Sequence, residues 1–380
     1  MPWMEQSRMS LRQEFCVFAA DPDWSVSALC RRFGISRKTA YKWLARYQRE
    51  GTAGLADRSR RPVASPTQTP SAVVEAVLAL RAATGWGGRK LHHALRQQGL
   101  DAVPAPSTIT AILARHGDPT AATALGPPPI RWQRFEAAQP NDLWQIDFKG
   151  PVALTQGQCS PLLVLDDHSR FLVGLTVSRD LRSTTVQAVL TPLLQRYGLP
   201  WRILVDNGSP WGTSHHGVGV PLTRLTAWLI RLGITVTHSR PYHPQTQGKV
   251  ERCTRTLGAE LLSRLGPTDP VTLQQHFDRW RERYNGHRPH AALGHRPPIT
   301  RYAPSPRPFP PELPPLVYEP DDRLARVSAQ GFIRLDRHRY FISHAIPGDP
   351  VAVRPTAEAA IVAIWYGPQF VTYLDLREPS

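Results

Sequence analysis

The hydrophobic and polar positions of this chain change their period around three acidic residues. Residues 144–149 alternate between apolar and polar side chains, which is the period of a half-buried strand with Asp147 on its polar face. Residues 203–205 are all apolar, as in a strand buried on both faces, and the run ends at Asp206 before turn-forming residues. The pattern therefore predicts one strand that carries an aspartate and another that ends at one.

The stretch after position 248 has the period of a helix. Apolar residues recur there every three or four positions, at Val250, Cys253, Leu257 and Leu261. We expect an amphipathic helix from Gly248 onward, with Glu251 beside the apolar stripe and near its solvent edge. An amphipathic run at 222–232 and an apolar strand at 234–236 precede it.

Residues 27–47 have the pattern of a helix-turn-helix. We expect Ser27 to cap the first helix, Gly34 to make the turn and Ser36 to cap the second helix. The core side of the second helix is predicted to carry Tyr41, Leu44 and Tyr47.

The opposite side of that second helix is basic over its first turns. In a recognition helix these turns contact base edges and phosphates in the major groove. The predicted DNA contacts are Arg37, Lys38, Thr39 and Lys42. A plain helical hairpin with a solvated charged face is the alternative.

A second group of helices is predicted between residues 71 and 117. Helical periodicity covers 71–83, and segments 85–99 and 107–117 resemble a winged-helix or helix-turn-helix unit with Ser107 as a cap. Phosphate contacts would set its register on DNA, through Arg89, Lys90 and Arg96. A purely structural three-helix spacer explains the same pattern.

The C-terminal pattern consists of short β-rich runs separated by turn residues. The runs predict a small β-barrel and lie at 331–333, 340–342, 351–353, 360–362 and 370–371. Its basic face would either contact DNA or prevent its edge strands from pairing with other chains. This face consists of Arg323, Arg326, Arg334, Arg337 and Arg339.

Length and these changes of pattern predict several domains, because 380 residues exceed what one core usually holds. We expect all-α helix-turn-helix units at the N-terminus, an α/β core with a mixed sheet in the centre and a β-barrel at the C-terminus. The predicted ranges are a helix-turn-helix domain at 1–65, a second helical domain at 66–117, a linker at 118–137, the α/β core at 138–303, a Pro-rich linker at 304–315 and the barrel at 316–380.

The formal net charge of +16 indicates a polyanionic partner, and nucleic acid is the commonest one. The four cysteines form no C-x-x-C pair, so neither a zinc site nor a disulfide framework is indicated. No stretch approaches the roughly 18 apolar residues of a membrane span. We therefore expect a soluble cytoplasmic protein.

Two strand-borne aspartates and a helix-borne glutamate at one spot would repel each other unless a cation neutralised them. Mg²⁺ is a suitable cation, because it takes oxygen ligands and is commonly shared between carboxylates and a phosphate substrate. Simpler interpretations exist for each residue. Asp206 could shape a turn, Glu251 could pair with Arg255, and Asp147 could be an ordinary solvated strand residue.

The segments around these residues resemble a known family. They are D-F at Asp147, V-L-D-D-H-S-R from Val164, D-N-G-S-P from Asp206, H-S-R-P-Y-H-P-Q-T-Q-G-K-V-E-R from His238 and Y-N-G-H-R-P-H-A-A-L-G from Tyr284. Together they resemble the DDE transposases of bacterial insertion sequences, whose catalytic core is similar to that of retroviral integrases.

This resemblance implies a ribonuclease H-like core with catalytic and metal-binding residues Asp147, Asp206 and Glu251. It also implies two Mg²⁺ ions, with Mn²⁺ possible, cleavage at transposon ends, and transfer of the freed 3′ hydroxyl into target DNA. The expected partners are double-stranded DNA and further copies of the chain, as a dimer or tetramer on DNA in the bacterial nucleoid. Further expected DNA contacts are Lys149, Lys249, Arg252 and Arg255. Roles in support of the site or in DNA contact are expected for Trp144, His168, Arg170, His243 and Gln247.

Glu251 follows Asp206 by 45 positions, a longer gap than in many relatives. The surplus lies around residues 211–220, where a surface loop is predicted because the stretch is rich in Gly, Ser and His and has no period. Its extra length costs little, because loop-closure entropy grows slowly with length. His215 and His216 in this loop invite a metal-binding interpretation. We favour a solvated loop, because no Cys or His stands at ligand spacing.

Two other classes of protein fit parts of the pattern. A DNA-binding regulator would keep the helix-turn-helix and the basic surface without strand transfer, and three intact carboxylates argue against it. A metal-dependent nuclease of the same fold would not need two N-terminal DNA-binding units.

Overall fold

The computed structural model describes most of the chain, namely residues 7–58, 68–118, 135–212, 222–239 and 247–378. The chain divides into two compact units, Met1–Gln68 and Thr69–Ser380. The predicted residues His215, His216 and His243 lie outside the described residues, as does most of the linker predicted at 118–137. No helix in the described ranges is long and apolar enough to cross a membrane.

The first unit is helical. It consists of α1 (Arg8–Phe18), α2 (Val26–Phe33), α3 (Arg37–Glu50) and a 3-10 turn (Gly51–Leu55). Gly34 ends α2 in the left-handed conformation, and the Ser36 hydroxyl accepts a hydrogen bond from the Thr39 N–H at 3.2 Å. The predicted turn and the second cap are therefore confirmed.

The first cap was predicted at the wrong serine. Ser25 caps α2, because its hydroxyl accepts a hydrogen bond from the Ala28 N–H at 3.2 Å. Ser27 lies inside the first turn of α2. Ser25 and Ser27 both precede the apolar run, so the sequence pattern does not distinguish between them as caps. In the structure α2 already begins at Val26, which makes Ser25 the cap.

The core side of α3 also differs from the prediction at one position. Ala40 and Trp43 are buried, and Leu44 and Tyr47 pack against them. Tyr41 is 60% exposed, so its predicted place in the core is wrong. A helix turns by about 100° per residue, which places Tyr41 well away from the stripe that Ala40 and Trp43 define.

Three helices begin the second unit. They are α4 (Ser71–Thr84), α5 (Gly88–Gln97) and α6 (Pro106–Arg115), which enclose a small core of Val77, Leu91, Leu95, Ile109 and Ile112. The prediction that Ser107 caps the last of them is wrong. Ala105 is the N-cap and Pro106 is the first helical residue, a position where the missing proline N–H costs nothing.

The α/β core is built on one five-stranded sheet. Its chain order is β1 (Leu143–Phe148), β2 (Val152–Ala153), β3 (Gln158–Cys159), β4 (Leu162–Asp166), β5 (Leu172–Thr176), α7 (Ser183–Tyr197), β6 (Arg202–Val205), α8 (Arg224–Arg231), β7 (Thr235–His238), α9 (Gly248–Glu260) and α10 (Pro270–Gly286). Strands β2 and β3 form a separate hairpin. The main sheet has the order β5-β4-β1-β6-β7.

This sheet is mixed, as predicted. Strand β1 pairs antiparallel with β4 and parallel with β6, and β6 pairs parallel with β7. Trp144 and Ile146 face a core shared with α7 and α8, while Leu163 and Leu165 of β4 face a second core under α9 and α10. Both faces of β1 are therefore covered, so the prediction of a half-buried strand is wrong: helix α9 packs on its polar face.

The C-terminal region is β-rich. Its strands are β8 (Arg323–Arg326), β9 (Phe332–Leu335), β10 (His338–Phe341), β11 (Pro350–Pro355), β12 (Ile361–Tyr366) and β13 (Gln369–Asp375). Five of them coincide with the predicted runs, and β8 is additional. The described strands pair as one sheet of order β13-β12-β11-β8 and a β9–β10 hairpin. A β-rich region is confirmed, and closure into a barrel is not.

The Pro-rich segment 304–315 contains no helix or strand and lies against the core. The Ser305 hydroxyl donates to the Leu199 carbonyl at 2.7 Å, and the Arg307 guanidinium donates to the Pro200 carbonyl at 2.8 Å. The C-terminal region continues from it and packs on the same core, where the Ser343 hydroxyl donates to the Leu222 carbonyl at 2.8 Å.

Candidate functional site

Asp147 and Asp206 lie at the same level of the central sheet. Strands β1 and β6 are parallel, and Gln145 of β1 stands opposite Leu204 of β6. Two residues further along each strand are Asp147, near the end of β1, and Asp206, directly after β6. Carboxyl ends of neighbouring parallel strands lie at one edge of a sheet, and this edge is a common place for a site.

Glu251 reaches this edge from a helix. It lies in the first turn of α9, which packs on β1 and β4 through the buried residues Val250, Cys253 and Leu257. Burial, together with the charges of Asp206 and Glu251, raises the pKa of the Asp147 carboxyl to about 6. The carboxylates of Asp206 and Glu251 therefore lie close enough to Asp147 to interact with it electrostatically.

The three carboxylates interact electrostatically, but they do not form a complete metal-binding site. Within the described residues, no group of three or more His, Cys, Asp or Glu side chains is arranged to hold a metal ion as it stands. Carboxylate oxygens are the ligands of hard divalent ions, so this set fits Mg²⁺ or Mn²⁺.

The simpler interpretation of Asp206 is also present in the structure. Its carboxylate accepts a hydrogen bond from the Gly208 N–H at 3.1 Å, as in a turn. A Cβ on Gly208 would lie 3.3 Å from the same carboxylate, and the ring Nδ1 of His238 lies 3.0 Å from the Asp206 carbonyl. The turn therefore holds the aspartate backbone in place. No Glu251–Arg255 ion pair occurs among the described residues.

The turn after β4 holds the segment that leads into β1. The buried Asp166 carboxylate accepts hydrogen bonds from the Asn141 N–H at 2.7 Å and the Ser169 N–H at 2.8 Å. Arg170 adopts a positive φ of 63° and pairs with Glu136 at 2.7 Å. Burial raises the pKa of the Asp166 carboxyl.

Residues predicted in supporting roles are part of this framework. The Trp144 indole donates to the Asn141 side-chain oxygen at 3.0 Å, and the His168 Nδ1 lies 2.8 Å from the Ala137 carbonyl. Gln247 is buried directly before α9.

Sequence reasoning missed two residues beside the carboxylates. The buried Gln145 amide donates to Asp167 at 2.8 Å, and its carbonyl oxygen accepts from the Val250 N–H at 3.1 Å. Asp167 is completely buried and pairs with Lys249. Two features of the sequence could have identified them. Gln145 is a polar residue on the same face of β1 as Asp147, and Asp167 is the second aspartate of V-L-D-D-H-S-R.

The predicted DNA contacts in the second unit differ in their exposure and in their ion pairs. Arg252 and Arg255 of α9 and Arg89 of α5 are exposed, and Lys149 is half-buried. Two lysines are engaged in ion pairs. The Lys249 side chain is 19% exposed beside Asp167, and the Lys90 side chain is 32% exposed at 3.4 Å from Glu260.

The predicted contacts in the first unit lie on one exposed side of α3. Arg37, Lys38 and Lys42 are exposed, and Thr39 is half-buried with its hydroxyl 2.9 Å from that of Ser36. The exposed Tyr41 joins this basic surface, which sequence reasoning had not assigned to it.

Family models match the same regions. An integrase core domain model matches residues 137–244, and a second integrase core domain model matches 232–298. A helix-turn-helix domain model matches residues 13–62, and a homeodomain-like domain model matches 39–113. The chain thus combines helix-turn-helix domains with an integrase core domain.

Relatives come from insertion elements and viruses. The chain is 26% identical over 168 residues, 44% of its length, to the insertion element IS476 uncharacterized 39.2 kDa protein of Xanthomonas euvesicatoria, and covers 46% of that protein. It is 25% identical over 156 residues, 41% of its length, to the IS407 uncharacterized 31.7 kDa protein of Burkholderia multivorans, and covers 53% of it. The chain is therefore similar to insertion-element proteins over the region that the integrase core domain models match.

The viral likenesses are narrower. The chain is 31% identical over 132 residues, 35% of its length, to the Pro-Pol polyprotein of simian foamy virus type 3, and covers 10% of it. A solved simian T-cell lymphotropic virus intasome is 16% identical, with a TM-score of 0.37, over 78% of this chain and 99% of that one. The chain spans about half of its insertion-element relatives, so its own reaction has to be argued from the site.

Proposed function

We propose that the chain is a DDE transposase that cuts DNA at the ends of its element and joins the freed 3′ hydroxyl to target DNA. The observation that carries the proposal is the convergence of Asp147, Asp206 and Glu251 from two parallel strands and one helix. Their catalytic and metal-binding roles are part of the proposal.

The carboxylates would hold two Mg²⁺ ions, with Mn²⁺ as an alternative, because their oxygens are hard ligands. Such ions supply activation of the attacking oxygen and stabilisation of the leaving oxygen when they are bound. The burial of Asp147 keeps bulk water away from one side of the site, which strengthens electrostatic interactions there. The protein's own contribution is then to position the carboxylates and the DNA.

Double-stranded DNA is the proposed substrate. The exposed side of α3 supports major-groove binding of an element end through Arg37, Lys38, Thr39 and Lys42, and we add Tyr41 to this set. Arg252, Arg255 and Lys149 are proposed phosphate contacts near the site, and Arg89 is a proposed phosphate contact of the second helical domain. Their exposure or partial exposure leaves them accessible to a backbone.

Lys90 and Lys249 are proposed to act differently. Each is in an ion pair with a buried carboxylate, so its charge is already compensated and its ammonium group is oriented toward the protein. A phosphate contact by either lysine would have to be shared with that pair.

Domain roles, assembly and location are proposed from the resemblance to the transposase family. We propose the predicted domain ranges as functional units, a barrel-like C-terminal domain that contacts DNA or another subunit, and a dimer or tetramer that joins two element ends. The site of action would be the bacterial cytoplasm, on nucleoid DNA.

An end-cleavage assay tests this function. Purified protein is incubated with labelled DNA that carries the terminal sequences flanking its own gene, with target plasmid and Mg²⁺. We expect nicked and joined products from wild type, none from Glu251→Gln, and normal products from Glu282→Gln, which removes an exposed charge on α10. Specific binding without any cleavage under several divalent ions would favour a regulator instead.

A further inference from the structure

Helix α9 begins without a cap of its own. The N-cap residue Gln247 makes no side-chain capping bond, so the first backbone N–H groups of the helix need partners from elsewhere. One partner comes from the neighbouring strand, because the Gln145 carbonyl oxygen accepts a hydrogen bond from the Val250 N–H at 3.1 Å. Val250 directly precedes Glu251.

The NH₂ group of the Gln145 amide is also hydrogen-bonded. It donates to Asp167 Oδ1 at 2.8 Å, and both side chains are almost fully buried, at 2% and 0% exposed. An amide with both ends bonded has one orientation, which gives Val250 a fixed acceptor.

Asp167 completes the link on its second oxygen. Oδ2 accepts hydrogen bonds from Lys249 Nζ at 2.5 Å and from the Ala137 N–H at 2.7 Å. The buried negative charge is therefore compensated by one cation and supported by further donors, as a buried ion pair requires. Lys249, like Val250, belongs to the first turn of α9.

The positions of these residues connect two of the proposed catalytic carboxylates. Gln145 stands two residues before Asp147, so both side chains leave β1 on the same face. Lys249 and Val250 stand directly before Glu251. The hydrogen-bonded path therefore connects the strand that carries Asp147 with the helical turn that carries Glu251.

We propose that Gln145, Asp167 and Lys249 form a positioning clamp. The clamp sets the distance of Glu251 from Asp147 and so prepares the site for divalent ions, and this inference rests on the proposed function. It assigns Lys249 to positioning rather than to the DNA contact predicted from sequence. Residues that orient metal ligands typically change metal affinity by about 10–100-fold when they are replaced.

A matched pair of glutamine variants tests the clamp. Gln145→Leu removes the hydrogen bonds of the clamp amide to Asp167 and to the Val250 N–H. Gln274→Leu removes a similar bridge elsewhere, because the Gln274 side chain accepts from the Val177 N–H at 2.9 Å and donates to the Leu175 carbonyl at 3.0 Å, beside the edge strand β5, which β4 separates from β1. Both substitutions should lower the melting temperature, and only the first should affect the carboxylates.

The first two measurements need no DNA. Mn²⁺ binding to the full chain is followed by titration calorimetry, and amide exchange at Val250 is followed by mass spectrometry without metal. We expect Gln145→Leu to weaken Mn²⁺ binding at least tenfold and to speed exchange in the first turn of α9. Gln274→Leu should leave both values at those of wild type.

The third measurement is the joining rate as a function of Mn²⁺ concentration. A positioning role predicts that high Mn²⁺ restores much of the rate of Gln145→Leu, whereas a purely structural role predicts a metal-independent loss. Lys249→Arg should retain Mn²⁺ binding better than Lys249→Met, which provides a second test if Gln145→Leu fails to fold.

Unchanged Mn²⁺ affinity and unchanged exchange in folded Gln145→Leu and Lys249→Met would overturn the clamp. A wild-type protein that binds Mn²⁺ and joins no DNA would overturn the proposed function instead, while the binding and exchange measurements would still decide the clamp.

Discussion

Asp147 and Asp206 stand level on adjacent parallel strands, and the charge of Asp206 adds to the effect of burial in raising the pKa of Asp147 to about 6. Glu251 acts in the same direction from α9. The protein therefore keeps three acidic groups together at a cost in stability, and a bound cation would remove that cost.

The first prediction is that Asp147→Asn stabilises the metal-free protein. The pKa of Asp147 is higher in the folded chain than its ordinary value near 4, so the folded state holds a proton that the unfolded state has lost between about pH 4 and pH 6. The free energy of unfolding therefore falls as pH rises through this window, and stays lower above it. After a discount for partial solvent exposure, we expect a gain of about 1–2 kcal/mol for the variant at pH 7.

Thermal unfolding of wild type and Asp147→Asn at pH 4.5 and pH 7 with a chelator measures this difference. The gain should shrink at the lower pH, and excess Mg²⁺ should stabilise wild type more than the variant. An equal effect of Mg²⁺ on both proteins would contradict the proposed ligand role of Asp147.

The second prediction concerns the buried carboxylate at the end of α9. Glu260 accepts hydrogen bonds from the Arg288 guanidinium at 3.0 and 3.3 Å, and Lys90 of α5 lies 3.4 Å away. Arg288→Met leaves a buried charge with one distant partner, so we expect a loss of about 3–5 kcal/mol. Lys90→Met should cost less, because that side chain is more exposed.

Urea unfolding of the full chain tests this order. A Glu260→Gln, Arg288→Met double variant should recover part of the loss, since no uncompensated charge remains. A larger loss from Lys90→Met than from Arg288→Met would reverse the assignment of the main partner.

The third prediction is that Tyr41 contributes to recognition of the element end. Tyr41→Ala should weaken binding to the end sequence by about 1 kcal/mol, or roughly fivefold, and should change stability little because the side chain is exposed. Val17→Ala removes an exposed apolar side chain from α1 of the same unit and serves as control. Competition binding against unrelated DNA measures the effect, and an equal loss for both DNAs would show that Tyr41 carries no specificity.

The fourth prediction concerns phosphate contacts beside the site. Arg255→Ala should weaken DNA binding regardless of sequence and lower the slope of log affinity against log salt by about one. Glu282→Gln provides a surface control on α10. An unchanged salt slope would mean that Arg255 faces solvent in the complex.

The pattern of the chain was sufficient for the elements that carry the carboxylates. Continuous apolar residues before Asp206 and the three-to-four spacing after Gly248 correspond to β6 and α9. Periodicity did not determine which of two nearby residues caps a helix or which of them faces the core. Ser25 displaced Ser27 as a cap, and Tyr41 lies outside the stripe of α3, because local spacing alone does not fix the rotation of a helix.

The polar residues that support the site were harder to find. Gln145 and Asp167 are far apart in the sequence, and their bonds to the first turn of α9 depend on strand pairing and helix packing. A buried glutamine also resembles a surface residue in an alternating pattern. That resemblance is the reason why β1 was predicted to be half-buried.

The most direct test of the central claim separates joining from cutting. Labelled element ends that already carry a free 3′ hydroxyl are mixed with target plasmid, Mg²⁺ and either wild type or Asp206→Asn, beside ends that lack the hydroxyl. We predict joined products from wild type with hydroxyl-bearing ends alone, and none from Asp206→Asn. Cleavage of intact ends without joining of these prepared ends would identify a nuclease, and joining by Asp206→Asn at the wild-type rate would contradict the proposed site.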